Sequence, residues 1–255
     1  MTETPQLKAV LLDLDDTLIP EHQPLANAYA AVAAELWGVV SATDEQSASV
    51  RQAARAYWTA KAPHPAYQDR IHLGPSDGLS AQFTGGGREL EDLRAFVADF
   101  HRHAFDAAVP ASYSGDTTRL RDLWWATRIG TQTIFDGAIE LLTTLREHYR
   151  LALVTNGASD FQRHKLEVTG LRDYFDVVVI SGEVGVGKPD PAPFNAALSA
   201  LDASVDEAVM IGNDKGRDIL GADRTGLRSI WVQPGDSTQT GAVTDLREIP
   251  GLLAA

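Results

Sequence analysis

The run Leu7 to Leu18, LKAVLLDLDDTL, constrains this chain more than any other stretch. Four apolar residues, Ala9 to Leu12, are followed at once by carboxylates at Asp13, Asp15 and Asp16 and by Thr17. A short unbroken apolar run with polar ends reads as a strand buried on both faces of a parallel sheet. Periodicity alone does not separate it from a buried helix segment, and we take it as a central strand. Three carboxylates are costly to bury without partners, so they are expected where the strand emerges at its C-terminal end, the edge at which open α/β sheets place ligands. Asp13 and Asp15 lie two apart and project to one side of an extended chain. Two acids held together suit a bound cation, a shared proton, or a nucleophile beside its acid.

Helical spacing follows. Pro24 stands where a first helical residue would, and Leu25, Ala28, Tyr29, Val32, Leu36 and Trp37 trace one stripe up to Gly38. Thr43 with Gln46 forms a capping-box pattern before a second stripe of Val50, Ala54, Tyr57 and Trp58. Between Ala62 and Gly87 the chain turns to Pro, Gly, Ser and His, which predicts a long functional or mobile loop. Two more helical patterns run through Leu90 to Ala104 and Leu120 to Ile129. After Thr133 the rhythm changes to strand and helix in alternation, with strands at Leu151 to Thr155, Val177 to Ile180, Ala208 to Ile211 and Ser229 to Val232, and Asp136 poised to cap the helix before the first of them. That alternation predicts βαβ units and a parallel sheet. The expected architecture is therefore α/β, a Rossmann-like sheet domain of residues 1–19 and 133–255 with an all-helical cap domain, 20–132, inserted after the first strand.

Composition narrows the class of partner. A net charge of −13 is a poor match for a polyanion, so a nucleic-acid polymer is excluded as an expected partner. The absence of cysteine removes disulfides, thiolate nucleophiles and cysteine metal sites, and fits a reducing compartment. With neither a signal-peptide pattern at the N-terminus nor an 18-residue apolar run, a cytoplasmic protein without a membrane partner is the expectation.

Each later strand end carries chemistry of its own. Thr155, Asn156 and Gly157 bring a hydroxyl, an amide and a glycine to a place where a helix N-terminus can meet an anion; taken alone, a plain strand-to-helix turn is the better account of them. Lys188 follows the third strand, and Asn213, Asp214 and Asp218 follow the fourth, where a helix N-cap explains Asp214 as readily as a metal does. Together the four ends offer paired acids, donors, a cation and further acids, a set suited to phosphoryl transfer from an organic ester. Three patterns carry less. GEVGVGK, Gly182 to Lys188, mimics a nucleotide loop but has Pro189 where a hydroxyl is needed. His101 and His103 are two apart and do not share a helix face. Trp124 and Trp125 read as bundle packing before base stacking.

DLDDT at Asp13 to Thr17, TNG at Thr155 to Gly157, GKPDPAPF at Gly187 to Phe194 and GNDKGRDILGA at Gly212 to Ala222 resemble, in order and spacing, the four motifs of the haloacid dehalogenase superfamily. The stretch from TNG to GKPD resembles in particular the branch with a helical cap after the first motif, which includes phosphoglycolate phosphatases, pyrimidine 5′-nucleotidases and acylneuraminate-9-phosphatases. The resemblance implies Asp13 as a nucleophile that becomes an aspartyl phosphate and Asp15 as general acid, then base. It implies Mg²⁺ held by the Asp13 carboxylate, the Asp15 main-chain carbonyl and the acids after the fourth strand, with Asp218 in the expected later place. Thr155 and Asn156, with Gly157, would bind phosphoryl oxygens, Lys188 would neutralise shared charge, and Thr17 would support the first loop. The family pattern has an acid directly after the motif's glycine, where this chain has Asn213; either Asn213 ligates through its amide oxygen or Asp214 reaches the metal, and Asp214 is favoured for its charge. The expected function is a Mg²⁺-dependent phosphatase of a small-molecule phosphate ester. A 2-haloacid dehalogenase, a sugar phosphomutase and a binding or regulatory protein without activity are the alternatives, and oligomeric state is left open.

Overall fold

A computed structural model describes residues 6–253. Five strands, β1 (Ala9–Leu12), β2 (Arg150–Thr155), β3 (Val177–Ile180), β4 (Ala208–Gly212) and β5 (Arg228–Trp231), form one sheet in the order β3-β2-β1-β4-β5, all parallel. The chain thus begins on the central strand and winds outward to both edges, which brings the ends of β1, β2 and β4 side by side. Leu12 is paired with Leu153 on one side and Ile211 on the other, and Asp13 continues the pairing through its N–H to the Ile211 carbonyl at 3.0 Å.

The chain divides into two compact units, one of residues 1–20, 133–157 and 162–255, the other of residues 21–132 and 158–161. The second holds six α-helices: α1 (His22–Trp37), α2 (Asp44–Lys61), α3 (Pro65–Ile71), α4 (Pro75–Ser80), α5 (Arg88–His103) and α6 (Leu120–Gly130). The helix placed at Pro24 begins two residues earlier, at His22, because proline is tolerated throughout a first turn whose N–H groups lack intrahelical partners. The capping box at Thr43 and Gln46 is present in both directions.

The expected loop between Ala62 and Gly87 is corrected by the structure. Prolines that read as breakers stand instead at the first position of α3 and of α4, where a missing N–H costs nothing, and the Asp77 carboxylate accepts the Gly74 N–H at 2.9 Å. Leu79, Ala81 and Phe83 then enter the unit's core beside Trp58 and Phe100. Gly78 permits that approach, since a Cβ there would fall inside the Trp58 ring.

The sheet unit carries α7 (Ala138–Arg146), α8 (Ser159–Thr169), α9 (Ser181–Val184), α10 (Pro191–Ala200), α11 (Leu220–Thr225) and α12 (Ile249–Leu253), although the first residues of α8 group with the helical unit. Both faces of the sheet are covered. Val10 and Leu12 pack with Leu141, Leu142 and Ile249, whereas Ala9 and Leu11 pack with Phe194, Ala197 and Ala222. Asp136 caps nothing: Gly137 takes the cap position in the left-handed region, and Asp136 receives Arg247 Nη2 at 2.6 Å. No helix among the described residues is long and apolar enough to cross a membrane.

Candidate active site

The site grows from the end of β1. Beyond Leu12 the chain bends sharply, with Asp16 in the left-handed region at φ 58° and its N–H on the Ile19 carbonyl at 2.7 Å. Leu14, Leu18 and Ile19 are fully buried, so the apolar residues of this loop anchor it while Asp13, Asp15 and Thr17 are left to face the sheet edge.

Asp13 is buried, and its two oxygens are held separately. Oδ1 accepts Lys188 Nζ at 2.6 Å, and Oδ2 accepts the Thr17 hydroxyl at 3.1 Å. Lys188 Nζ also lies 2.7 Å from Asp218 Oδ1, so one ammonium neutralises two carboxylates contributed by different strand ends. Burial pushes the Asp13 carboxyl up to about 6; Lys188 pulls the other way and the Asp218 charge adds to the rise. Burial pulls the Lys188 ammonium down, but the charges of Asp13 and Asp218 outweigh it and hold it above the ordinary lysine value. Gly212 lets Asp218 fold back under the loop, because a Cβ there would land on the Asp218 carboxylate.

Several motif residues come together in tasks the sequence did not foretell. Thr155 is buried at the end of β2 with its hydroxyl accepting Gln162 Nε2 at 2.6 Å. Asn156, expected on a phosphate, brackets the Lys188 peptide: Nδ2 donates to the Lys188 carbonyl at 3.0 Å, and Oδ1 accepts the Lys188 N–H at 2.9 Å. It aims the lysine. Gly157, expected among the phosphate donors, gives its N–H to Ser181 Oγ at 2.9 Å.

Asp214, favoured as the metal ligand for its charge, has other partners in the structure. Asp214 Oδ1 accepts the N–H groups of Gly216 and Arg217 at 2.7 and 3.1 Å, and Oδ2 lies 3.3 Å from Arg217 Nε, so the carboxylate caps the following turn. Asn213 instead sits beside Thr17, its N–H donating to Thr17 Oγ1 at 3.1 Å and its amide oxygen 3.3 Å from the same hydroxyl, which also reaches Asp13. Trp231 Nε1 and Gln233 Nε2 both donate to the Asn213 carbonyl, at 2.8 and 2.9 Å, and fix the residue from behind.

The donor set fits a hard dication. Among the described residues no three acidic or histidine side chains gather into a metal cage. Mg²⁺ does not need one, since it takes one or two carboxylates together with neutral oxygens, water and substrate. Asp13 and the Asn213 amide oxygen supply such a mixture, and the buried Asp218 Oδ1, ion-paired to Lys188 without hydrogen-bond geometry, has no hydrogen-bond partner of its own.

Two residues outside the predicted set complete the site. Asp15 is gripped by Lys165 Nζ at 2.8 Å from Oδ1 and 2.9 Å from Oδ2, and by Gln162 Nε2 at 2.9 Å from Oδ2. Gln162 and Lys165 are three apart on α8 and share a face with apolar Leu166 beside them; a polar pair on an otherwise buried face was the signal available in the sequence. The remaining patterns are structural. His101 reaches the Gly78 carbonyl at 2.8 Å, His103 reaches Asp106, and Trp124 packs edge-on against Tyr29.

Comparison with known proteins places this geometry in context. The family model described as haloacid dehalogenase-like hydrolase matches residues 7–226. A phosphoserine phosphatase from Thermus thermophilus is 34% identical over 252 residues, covering 95% of this chain and 98% of that protein. The pyrimidine 5′-nucleotidase YjjG of Escherichia coli is 40% identical over 128 residues, 48% of this chain and 57% of its own length. Among solved structures, the magnesium-bound hydrolase YfnB from Bacillus subtilis matches with a TM-score of 0.63 at 20% identity, covering 98% of this chain and 100% of that one, a likeness of fold.

Proposed function

This chain belongs to the haloacid dehalogenase-like hydrolase family, and we propose that within it the protein is a Mg²⁺-dependent phosphatase of a small organic phosphate monoester. The observation that carries the reading is the buried Asp13, held between Lys188 and Thr17 with Asp15 two residues on. In the first step an Asp13 oxygen attacks phosphorus: the Asp13 O–P bond forms, the ester P–O bond breaks, and Asp15 gives its proton to the departing alkoxide. In the second, Asp15 takes a proton from water as that water attacks phosphorus. The Asp13 O–P bond breaks, and inorganic phosphate leaves with the carboxylate restored. Lys188 offsets the negative charge gathered between carboxylate and phosphoryl group, and the Thr155 hydroxyl donates to a phosphoryl oxygen. Asp13, the Asp15 main-chain carbonyl and Asn213 would hold Mg²⁺, which supplies further shielding of like charge when bound.

Phosphoserine is the first ester to test. The groups at the sheet edge recognise phosphate alone and do not choose among organic groups. The Thermus relative matches across nearly the whole chain, whereas the nucleotidase match covers about half. Phosphate release from phosphoserine, nucleoside monophosphates and sugar phosphates, with and without Mg²⁺, tests the reading. Turnover of at least one ester, dependent on Mg²⁺, is expected; activity on none, with p-nitrophenyl phosphate also inert, would sink it. In the same assay Asn213→Ala should raise the Mg²⁺ needed for half activity by tenfold or more, whereas Asp214→Ala, which loses only a cap, should shift it less than about threefold.

A further inference from the structure

We propose that Gln162 and Lys165 are positioning residues of the reaction, setting the direction of the Asp15 carboxylate and of the Thr155 hydroxyl together. The inference rests on Asp15 being the proton donor, and the experiment below separates the two. Asp15 stands on a bent loop with 24% of its side chain exposed, a setting in which a carboxylate turns between rotamers. Three contacts onto its two oxygens, from groups that are themselves 1% and 2% exposed, leave it one direction. A Gln amide nitrogen carries two hydrogens, and Gln162 Nε2 reaches both Asp15 Oδ2 at 2.9 Å and Thr155 Oγ1 at 2.6 Å. One amide thereby ties the loop after β1 to the end of β2. Because Thr155 Oγ1 accepts from Gln162, its own hydrogen points elsewhere and is available to a phosphoryl oxygen. The proton donor and the phosphate donor are set in register by the same side chain.

Stability gives little reason for an ammonium at this position. A buried ion pair is often replaced by apolar side chains of similar volume at no loss, and methionine has the length of the lysine stem. The neighbouring Arg163 shows the ordinary surface alternative on the same helix: it pairs with Glu183 at 2.7 Å with 44% of its side chain exposed. Lys165 turns the other way, inward, onto the Asp15 carboxylate.

The test compares Lys165→Met, Asp15→Asn and the double variant on an alkyl ester, phosphoserine or whichever alkyl ester the panel shows is turned over, and on p-nitrophenyl phosphate, whose leaving group needs little protonation. Lys165→Met should lower kcat/KM, which reports the steps up to departure of the leaving group, by roughly tenfold or more for the alkyl ester and by less than about threefold for the aryl ester, while kcat, which includes the shared hydrolysis of the aspartyl phosphate that Asp15 also assists, falls for both. In the Asp15→Asn background Lys165→Met should add nothing, as expected of a residue that acts through Asp15. Lys165→Arg should recover part of the alkyl activity, and Gln162→Leu, which also frees Thr155, should slow both esters. If Lys165→Met does not fold, Lys165→Gln is read in the same way. Equal loss of kcat/KM on both esters in Asp15→Asn refutes the proton-donor role. If Asp15→Asn discriminates between the esters but Lys165→Met does not, or if the two losses multiply, Lys165 serves the fold alone and the inference is overturned.

Discussion

Asp13→Asn leaves a folded protein that no longer turns over phosphate esters, with kcat lower by about 10⁴-fold or more, as for removal of a covalent nucleophile. The change keeps the side chain's volume in a buried position, so nothing in the core must repack. An amide nitrogen or neutral amide oxygen cannot form the aspartyl ester, and the loss falls on alkyl and aryl phosphates alike because both pass through it. Circular dichroism and a thermal melt beside the kinetic assay separate lost chemistry from lost structure. Turnover within tenfold of wild type in a metal-replete assay would remove Asp13 from the mechanism.

Lys188→Met has the second largest effect, on stability as well as rate. Its ammonium stands between two buried carboxylates at 2.6 and 2.7 Å, and breaking such a buried arrangement by removing one partner costs about 3–5 kcal/mol. The pH dependence has a definite sign. Asp13 in the folded chain holds its proton up to about 6, above its ordinary carboxylate value, so between those limits the native state binds more protons than the unfolded one. Stability of the metal-free protein therefore falls as pH rises through that window. Without Lys188 the opposing pull is gone, and the decline should deepen and extend to higher pH. The melting temperature of Lys188→Met in chelator should sit close to wild type near pH 4 and drop away from it by pH 8. Adding Asp13→Asn should recover part of the loss, since the unpaired charge is then removed. A constant gap between wild type and variant across pH would mean that Lys188 contributes packing and not charge.

The elements that the sequence disclosed are those whose signal is local. The apolar runs of β1, β2, β3 and β4 are each short, unbroken and followed by polar residues, and a parallel sheet follows from their alternation with helices. The residues placed at the strand ends, Asp13, Thr155, Lys188 and Asp218, could be named because chemistry-bearing types directly after buried strands have few other places to go. Direction was not legible. Nothing local distinguishes an Asn156 that meets a phosphate from one that clasps the Lys188 peptide, since the difference is made by a loop 32 residues away. Asp214 was preferred over Asn213 for its charge, and charge alone does not show that the first N–H groups of the turn after β4 bind the Asp214 carboxylate. Gln162 and Lys165 were hidden for a related reason, because their partner Asp15 lies about 150 residues earlier. The segment from Ala62 to Gly87 misled through its prolines, which mark helix starts as well as breaks.

The central claim is that the phosphoryl group passes through the Asp13 carboxylate. Mixing enzyme with p-nitrophenyl phosphate and Mg²⁺, quenching in acid within the first turnover and mapping the peptides by mass spectrometry tests it most directly. The account predicts a phosphate mass on the peptide carrying Asp13, removed by hydroxylamine as an acyl phosphate should be, absent from Asp13→Asn and accumulating longer in Asp15→Asn, where the second step lacks its base. A phosphopeptide that maps elsewhere, or rapid turnover with no acid-trapped phosphoenzyme even in Asp15→Asn, would contradict it.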